Sequence, residues 1–264
     1  MNAGNTAAPS STSDVRADPW LPPPADLSLA EGHVHVWRAC LTRSAAYVER
    51  FGGTLSKDEA RRAGRFRSAE DRRRFIVARG VVRLLLGRYL GSEPASLVFR
   101  YGPAGKPELS RLSGAADLRF NYTHSGGLIL CAITRGRRIG VDIEAHRPIP
   151  ELERIVQVVL TSGERQQLAC LRPRERRDAF FRAWTRKEAF LKATGDGLSR
   201  PAERIEVSLA PRGSPLLLAV DGDPDAAGPW QLRDLPAGRG YSAALAVEGA
   251  GHRTIYRQYR LAGP

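Results

Sequence analysis

The chain has 264 residues, with 41 Lys and Arg against 28 Asp and Glu, and a formal net charge of +13. This surplus favours an anionic partner such as a nucleic acid, a phosphorylated ligand, a membrane surface or an acidic protein. The 3 cysteines lack CxxC spacing, which argues against a disulfide framework or a zinc site. No apolar run approaches ~18 residues and no secretory signal opens the sequence, so we expect a cytoplasmic protein without a membrane-spanning helix.

The first part of the chain predicts a leader, a strand and a short helix. Residues 1 to 28 are rich in Ala, Pro, Ser and Thr, a composition typical of a disordered segment. Alternating polar and apolar residues predict a strand over residues 33–41. Ser56, with Glu59 three residues later, predicts the capped N-terminus of a short helix.

A long helix is predicted over residues 69–90, because apolar side chains recur there at helical spacing. Most of the arginines that lie off this apolar stripe, a set that includes Arg79 and Arg83, are expected on a solvated face. The next prominent feature is a pair of strands joined at Ser125 and the two glycines after it, which predicts a hairpin.

The second part predicts a strand over residues 137–146, then helices, the longest over residues 175–193, and finally several short strands. Each half therefore contains one long helix and several strands. This organisation predicts two lobes, residues 29–137 and residues 138–264, after the leader.

Carboxylates and a lysine are placed in two of these elements so that they could meet. Asp142 and Glu144 are two residues apart in the strand, so their side chains point to the same face. Trp184, Glu188 and Lys192 recur every four residues and share one row of the long helix. Carboxylates beside lysine suit a hard divalent cation and a phosphorylated substrate. Taken alone, the Asp142–Glu144 pair would be ordinary strand surface, and Trp184 is expected to pack in the core.

Four segments together resemble the Sfp-type (surfactin-type) 4′-phosphopantetheinyl transferases. They are GKPEL at Gly105, FNYTHSG at Phe120, GVDIE at Gly140 and WTRKEAFLKATGDGL at Trp184, in the order and with the spacing common in that family. The chain has Thr123 where the family usually has Ser, and the hydroxyl is kept. The resemblance covers roughly residues 56–208.

The resemblance implies an α+β fold of two similar lobes related by a pseudo-twofold axis, with coenzyme A in the cleft between them. It implies transfer of the 4′-phosphopantetheine arm of coenzyme A to a serine of an apo acyl or peptidyl carrier protein, releasing adenosine 3′,5′-bisphosphate, with Mg²⁺. The implied partners are acidic helical carrier domains, without a nucleic acid or membrane partner. The two-lobed length favours a monomer.

The resemblance also assigns site residues. Asp142, Glu144 and Glu188 match the magnesium ligands, and Glu188 also matches the general base. Lys192 and Lys187 match lysines near the pyrophosphate. The remaining coenzyme A contacts match Arg62, Tyr101, Lys106, Asn121, Thr123 and His124. Arg61 and Arg65 stay open as substitutes for Arg62, and Glu188 stays open as base, ligand or both.

Two other function classes remain open at this level. The charge of +13 suits a nucleic-acid-binding module, although the basic residues are spread along the chain without a recognition motif. A metal-dependent phosphohydrolase could use the same carboxylates and transfer to water. Incubation with coenzyme A, magnesium and an apo carrier protein separates all three.

Overall fold

The computed structural model describes residues 19–41, 45–110, 117–211 and 216–260. These residues form the expected α+β fold, with two main sheets and two long helices. Across the described ranges, no helix combines the length and the apolar character needed to cross a membrane.

The first half contains β1 (His33–Cys40), α1 (Ala45–Gly52), α2 (Lys57–Gly64), α3 (Ala69–Leu90), β2 (Phe99–Tyr101), β3 (Pro107–Leu109), β4 (Leu118–Ser125) and β5 (Leu128–Arg135). The second half contains β6 (Ile139–Ala145), α4 (Leu152–Val159), α5 (Ser162–Ala169), α6 (Pro173–Thr194), β7 (Ile205–Val207), β8 (Leu217–Val220), β9 (Trp230–Asp234), β10 (Tyr241–Glu248) and β11 (Arg253–Gln258). The prediction of both long helices and of the hairpin after β4 is confirmed.

Side chains alternate along each strand, so the two faces of each main sheet pack against different partners and the fold has four layers. The main sheets have the strand orders β11-β1-β5-β4 and β6-β10-β9. Helix α3 packs on one face of the first sheet and α6 on one face of the second. The two remaining sheet faces share a third apolar core, which includes Val34, Val36, Leu130, Val141 and Leu245. The order of layers is therefore helix, sheet, sheet, helix.

Small residues bring α6 unusually close to the second sheet. A Cβ atom at Gly140 would lie 2.1 Å from the backbone oxygen of Ala189 and 2.3 Å from the backbone nitrogen of Ala193. On β10, Ala244 and Ala246 belong to the same core as α6, and Ala246 is the strand partner of Gly140. Glycine at position 140 is therefore required by this packing.

The prediction that Arg79 and Arg83 lie on a solvated face is wrong. Both are buried in α3, with Arg79 Nε 2.5 Å from Glu59 Oε1 and Arg83 Nε 2.6 Å from Glu59 Oε2. Glu59 also accepts a hydrogen bond from the backbone of Ser56, which caps α2 as predicted. A buried carboxylate on α2 therefore compensates two arginines that the sequence pattern placed in solvent.

Near both ends of the chain, the structure differs from the predicted leader and from the predicted two lobes. Trp20 is 6% exposed and its indole donates to the backbone oxygen of Pro236 at 2.8 Å, so the predicted leader extends too far. The earlier part of that leader, residues 1–18, lies outside the described residues. Strand β11 pairs in parallel with β1 and completes the first sheet. Strand pairing thus crosses the boundary predicted near residue 137, which stays a prediction.

We predict that Gly140→Ala destabilises the protein by about 1–3 kcal/mol, the usual cost of inserting a methyl group into a packed core. The added Cβ must displace the backbone of α6, which raises the free energy of the folded state. Gly64→Ala is the matched control, since no atom lies within 4 Å of its added Cβ. Urea unfolding measures both variants, and equal midpoints for the two would contradict the close packing.

Candidate active site

The edge strands β4 and β6 meet where the two sheets join, and polar side chains connect them. Asn121 Oδ1 accepts a hydrogen bond from the backbone nitrogen of Val141 at 2.9 Å. Ser125 Oγ accepts one from the backbone nitrogen of Ala145 at 3.0 Å. Alternate residues of a strand share a face, so Thr123 lies between these two anchors.

Asp142 is the buried centre of this junction. Its Oδ1 accepts hydrogen bonds from Thr123 Oγ1 at 3.1 Å and from Lys192 Nζ at 2.6 Å. Its Oδ2 is buried and has no hydrogen-bond partner in the described part of the chain. Burial raises the pKa of Asp142 to about 6, although Lys192 acts in the opposite direction. The free oxygen is thus a candidate ligand for a cation.

Two further carboxylates lie within electrostatic reach of Asp142. Glu144 and Glu188 both add to the rise in the pKa of Asp142. Burial raises the pKa of Glu188 as well, against the attraction of Lys192 and with a contribution from Glu144. Negative charge is therefore concentrated here, and one lysine opposes it.

The expected three-carboxylate metal shell is not formed. Within the four described ranges, no three His, Cys, Asp or Glu side chains are grouped closely enough to hold an ion together. Lys192 pairs with Asp142 and supplies the positive charge at this point. The structure therefore brings Asp142, Glu144 and Glu188 near one another without placing them in one coordination sphere.

Helix α6 carries Glu188 and Lys192 on the same row as Trp184, which is anchored in the core. Trp184, one turn before Glu188, is partly buried and packs against Phe180 with ring centroids 5.9 Å apart. This is the packing expected from the sequence. One turn separates Glu188 from Lys192, so both act on the same side of the helix.

A cavity of about 340 Å³ adjoins this cluster. It is lined by Ala104, Gly105, Lys106, Pro107, Asn121, Tyr122, Thr123, His124, Leu191, Lys192, Gly195 and Gly197. Lys106 Nζ donates to the backbone oxygens of Ile139 and Ala193, and burial lowers the pKa of Lys106 to about 8. At the exposed rim, partial burial of the ring and the charge of Lys192 lower the pKa of His124. Hydroxyl, imidazole and ammonium groups thus face one cavity.

Arg62 and Tyr101 are not among the residues that line this cavity. Arg62 is exposed on α2, with its guanidinium 5.4 Å from the ring centroid of Phe75. The hydroxyl of Tyr101 accepts a hydrogen bond from Arg79, which also donates to Tyr122 at 3.2 Å. Neither predicted contact therefore lines the cavity, although Arg79 connects Tyr101 to Tyr122 of the cavity wall.

The assignment of Lys187 to the pyrophosphate must be corrected. Lys187 is 1% exposed, and its Nζ donates to Glu164 Oε2 at 2.6 Å and to the backbone oxygens of Val159 and Ala202. Successive helical residues point about 100° apart, so Lys187 does not share the direction of Glu188. It fixes α6 to α5 and is not available to a ligand.

The polar row of β6 continues just beyond the strand, at a residue that the sequence motifs did not single out. His146 continues the alternation of Asp142 and Glu144, and its ring stacks on Phe181 at 4.8 Å. Its Nε2 lies 2.8 Å from Ser242 Oγ and its Nδ1 3.3 Å from Asp178 Oδ1. The period-two pattern in the sequence contains this signal. These contacts hold the end of β6 against α6 and β10.

Comparison with known proteins identifies the family. The 4′-phosphopantetheinyl transferase superfamily model matches residues 138–246, and the model for the N-terminal part of a 4′-phosphopantetheinyl transferase matches residues 42–135. The 4′-phosphopantetheinyl transferase HetI of a Nostoc species is 39% identical over 240 residues, covering 91% of this chain and 98% of the relative. The chain belongs to the 4′-phosphopantetheinyl transferase family. The transferase Sfp of Bacillus subtilis is 30% identical over 197 residues, covering 75% of this chain and 84% of the relative.

The family membership confirms the enzyme class inferred from the four motifs. The transferase moves the 4′-phosphopantetheine arm of coenzyme A to carrier proteins, so coenzyme A is its substrate. The motif residues quoted for the resemblance fall inside the matched regions.

We predict that Asp142→Asn stabilises the metal-free transferase relative to the wild type near neutral pH. A folded-state pKa of about 6, raised from 3.8, means that ionised Asp142 opposes folding. This cost grows between about pH 4 and pH 6 and is then constant, at on the order of 3 kcal/mol. Urea unfolding in the presence of a chelator measures it.

The control for removing one negative charge is Asp225→Asn, at an exposed position. The stability difference between Asp142→Asn and the wild type should shrink as the pH falls toward 4. A difference that does not change with pH would contradict the burial of an ionised carboxylate at this position.

Proposed function

We propose that the transferase binds Mg²⁺ through Asp142 and Glu144 and uses Glu188 as its general base. One observation carries the metal proposal, namely the buried Oδ2 of Asp142 without a hydrogen-bond partner in the described ranges. Such an oxygen is costly to bury unless a partner binds it. Mg²⁺ prefers oxygen ligands and keeps several waters, so one or two carboxylates suffice. The donor set therefore fits this ion.

When bound, the ion would neutralise charge on the pyrophosphate and stabilise the leaving phosphate. We place the coenzyme A phosphates in the 340 Å³ cavity, where Thr123, His124 and Lys192 offer donors to phosphate oxygens. Lys106 has three donor hydrogens and gives two to backbone oxygens. One therefore remains for the ligand. Tyr101 and Arg62 would contact the nucleotide from the rim.

Glu188 is suited to accept the proton of the carrier serine. Its raised pKa makes it a stronger base than an ordinary carboxylate. It lies one helical turn from Lys192, which would hold a phosphate oxygen. Asn121 would hold strand β6 in place, since its amide oxygen accepts a hydrogen bond from the β6 backbone. The proton would transfer to Glu188 directly or through one water.

The test is a mass assay with coenzyme A and an apo carrier protein. The wild type should add the phosphopantetheine arm in Mg²⁺ and lose this activity in excess chelator. Glu188→Gln keeps the size of the side chain but removes its basicity, so turnover should fall at least ~100-fold. Its affinity for coenzyme A should change much less.

Glu151→Gln, an exposed position at the start of α4, is the matched control and should keep wild-type turnover. A loss confined to coenzyme A binding in Glu188→Gln would leave Glu188 as a ligand only. Release of free phosphopantetheine without carrier would indicate a phosphohydrolase. A panel of fatty acid, polyketide and nonribosomal peptide carriers in the same assay identifies the pathway served.

We further propose that the carriers are acidic helical domains and that the transferase acts as a monomer in the cytoplasm. Both halves of one chain contribute to the site, since Thr123 and Lys192 bond to the same carboxylate. A second copy is therefore not needed to complete it. Exposed arginines run from α2 through the following loop to the first turns of α3, and we call them the basic face: Arg61, Arg62, Arg65, Arg67, Arg72 and Arg73.

This basic face should steer acidic carriers toward the cleft. Arg62 opposes the burial-induced rise in the pKa of Tyr122, a residue of the cavity wall, so the face lies close to the site. We predict that the second-order rate constant for the carrier falls steeply from low to moderate salt, because exposed charges are screened over ~8 Å at physiological ionic strength. Turnover at saturating carrier should change little.

The double variant Arg65→Glu with Arg67→Glu should slow the reaction with the carrier at low salt. Arg253→Glu with Arg260→Glu makes the same change in charge in and just after β11, which is at the opposite edge of the first sheet from β4. The rates of carrier modification by the two double variants are compared by mass spectrometry of quenched samples, with saturating coenzyme A and Mg²⁺. Equal effects would show that net charge, and not this face, controls the encounter.

A further inference from the structure

We propose that Ser125 is a positioning residue that fixes Glu144 so that one of its carboxylate oxygens stays free for the cation. This inference rests on the proposed magnesium site and goes beyond it, because it assigns a role to a residue that had been placed only in a hairpin turn. Ser125 is the last residue of β4, directly before the turn to β5.

Two hydrogen bonds determine the orientation of the Ser125 hydroxyl. It donates to Glu144 Oε2 at 2.8 Å and accepts from the backbone nitrogen of Ala145 at 3.0 Å. A serine hydroxyl has a single donor hydrogen, so this donor is committed to Glu144. Arg147 donates to the same oxygen at 3.2 Å. The other oxygen, Oε1, has no hydrogen-bond partner within the described residues.

The same arrangement occurs two residues earlier on both strands, between Thr123 of β4 and Asp142 of β6. Thr123 donates to Asp142 Oδ1, and Asp142 Oδ2 remains without a partner among described residues. In both cases the hydroxyl precedes its carboxylate by 19 residues. Two hydroxyls on one face of β4 thus hold two carboxylates on one face of β6. Each carboxylate is bound through one oxygen and keeps the other free.

This pattern is what an oriented pair of metal ligands requires. A glutamate side chain loses considerable rotamer freedom when it is held in one place, and the Ser125 bond imposes that order before a cation arrives. Without it, Glu144 could turn toward Arg147, which is already within hydrogen-bond distance. Loss of a hydrogen-bond partner behind a metal ligand typically weakens metal affinity or activity by about 10–100-fold.

Three variants test the role of the hydroxyl. Ser125→Ala removes it, Ser125→Thr keeps it, and Ser125→Cys keeps the size with a weaker donor. Ser96→Ala is the matched control, since its hydroxyl donates only to the backbone oxygen of Glu93, at 2.8 Å, far along the chain from the site. Each full-length protein is titrated with Mg²⁺ at saturating coenzyme A. Calorimetry and the rise in melting temperature report binding without carrier, and the mass assay gives the half-activating concentration.

Ser125→Ala should raise the half-saturating Mg²⁺ concentration about 10-fold or more, with a smaller change in the KM for coenzyme A. Ser125→Thr and Ser96→Ala should stay close to the wild type, and Ser125→Cys should lie between them. A purely structural role would lower the melting temperature of Ser125→Ala in chelator and leave its Mg²⁺ requirement unchanged, which would overturn the inference. If the wild type itself binds no Mg²⁺, the magnesium site fails and this role with it. If the wild type binds Mg²⁺ and Ser125→Ala binds it equally well, only the role of Ser125 fails.

Discussion

Helix α6 lies so close to strand β6 that a side chain at Gly140 would overlap the helix backbone. This approach places Lys192 Nζ 2.6 Å from Asp142 Oδ1 and puts Glu188 one turn earlier on the same side. A side chain at Gly140 would displace the helix backbone, and Glu188 and Lys192 would shift with it. The positions of Glu188 and Lys192 therefore depend on the absence of a side chain at position 140.

The junction of the two sheets has a second consequence for the site. The edge strands β4 and β6 belong to separate sheets, and side chains such as Asn121 and Ser125 bond across to the β6 backbone. Polar side chains can therefore gather at a point that a continuous sheet would fill with apolar packing. Thr123 and Ser125 use this space to hold Asp142 and Glu144 by one oxygen each. The same contacts join the two sheets and orient the carboxylates.

Buried ion pairs anchor both long helices. Glu59 holds Arg79 and Arg83 of α3, and Glu164 holds Lys187 of α6. Removing one partner of such a pair typically costs about 3–5 kcal/mol, because the other charge stays buried without compensation. Lys187 precedes Glu188 directly, so its anchoring also sets the direction of the proposed base. These buried charges stabilise the fold. The sequence had instead suggested a ligand contact for Lys187 and a solvated face for Arg79 and Arg83.

The amino-acid sequence by itself determined the long helices, the α+β class and the transferase family, because periodicity, turn residues and four ordered motifs are local features. It also determined that Asp142 and Glu144 share a face of a strand and that Glu188 and Lys192 share a row of a helix, since spacing within an element fixes which side chains point the same way. Tertiary structure decided what local spacing does not contain. It turned Lys187 into the core, buried Arg79, and packed Trp20 against the second half of the chain. Each of these outcomes depends on a partner remote in sequence, and burial is set by that partner and not by the residue alone.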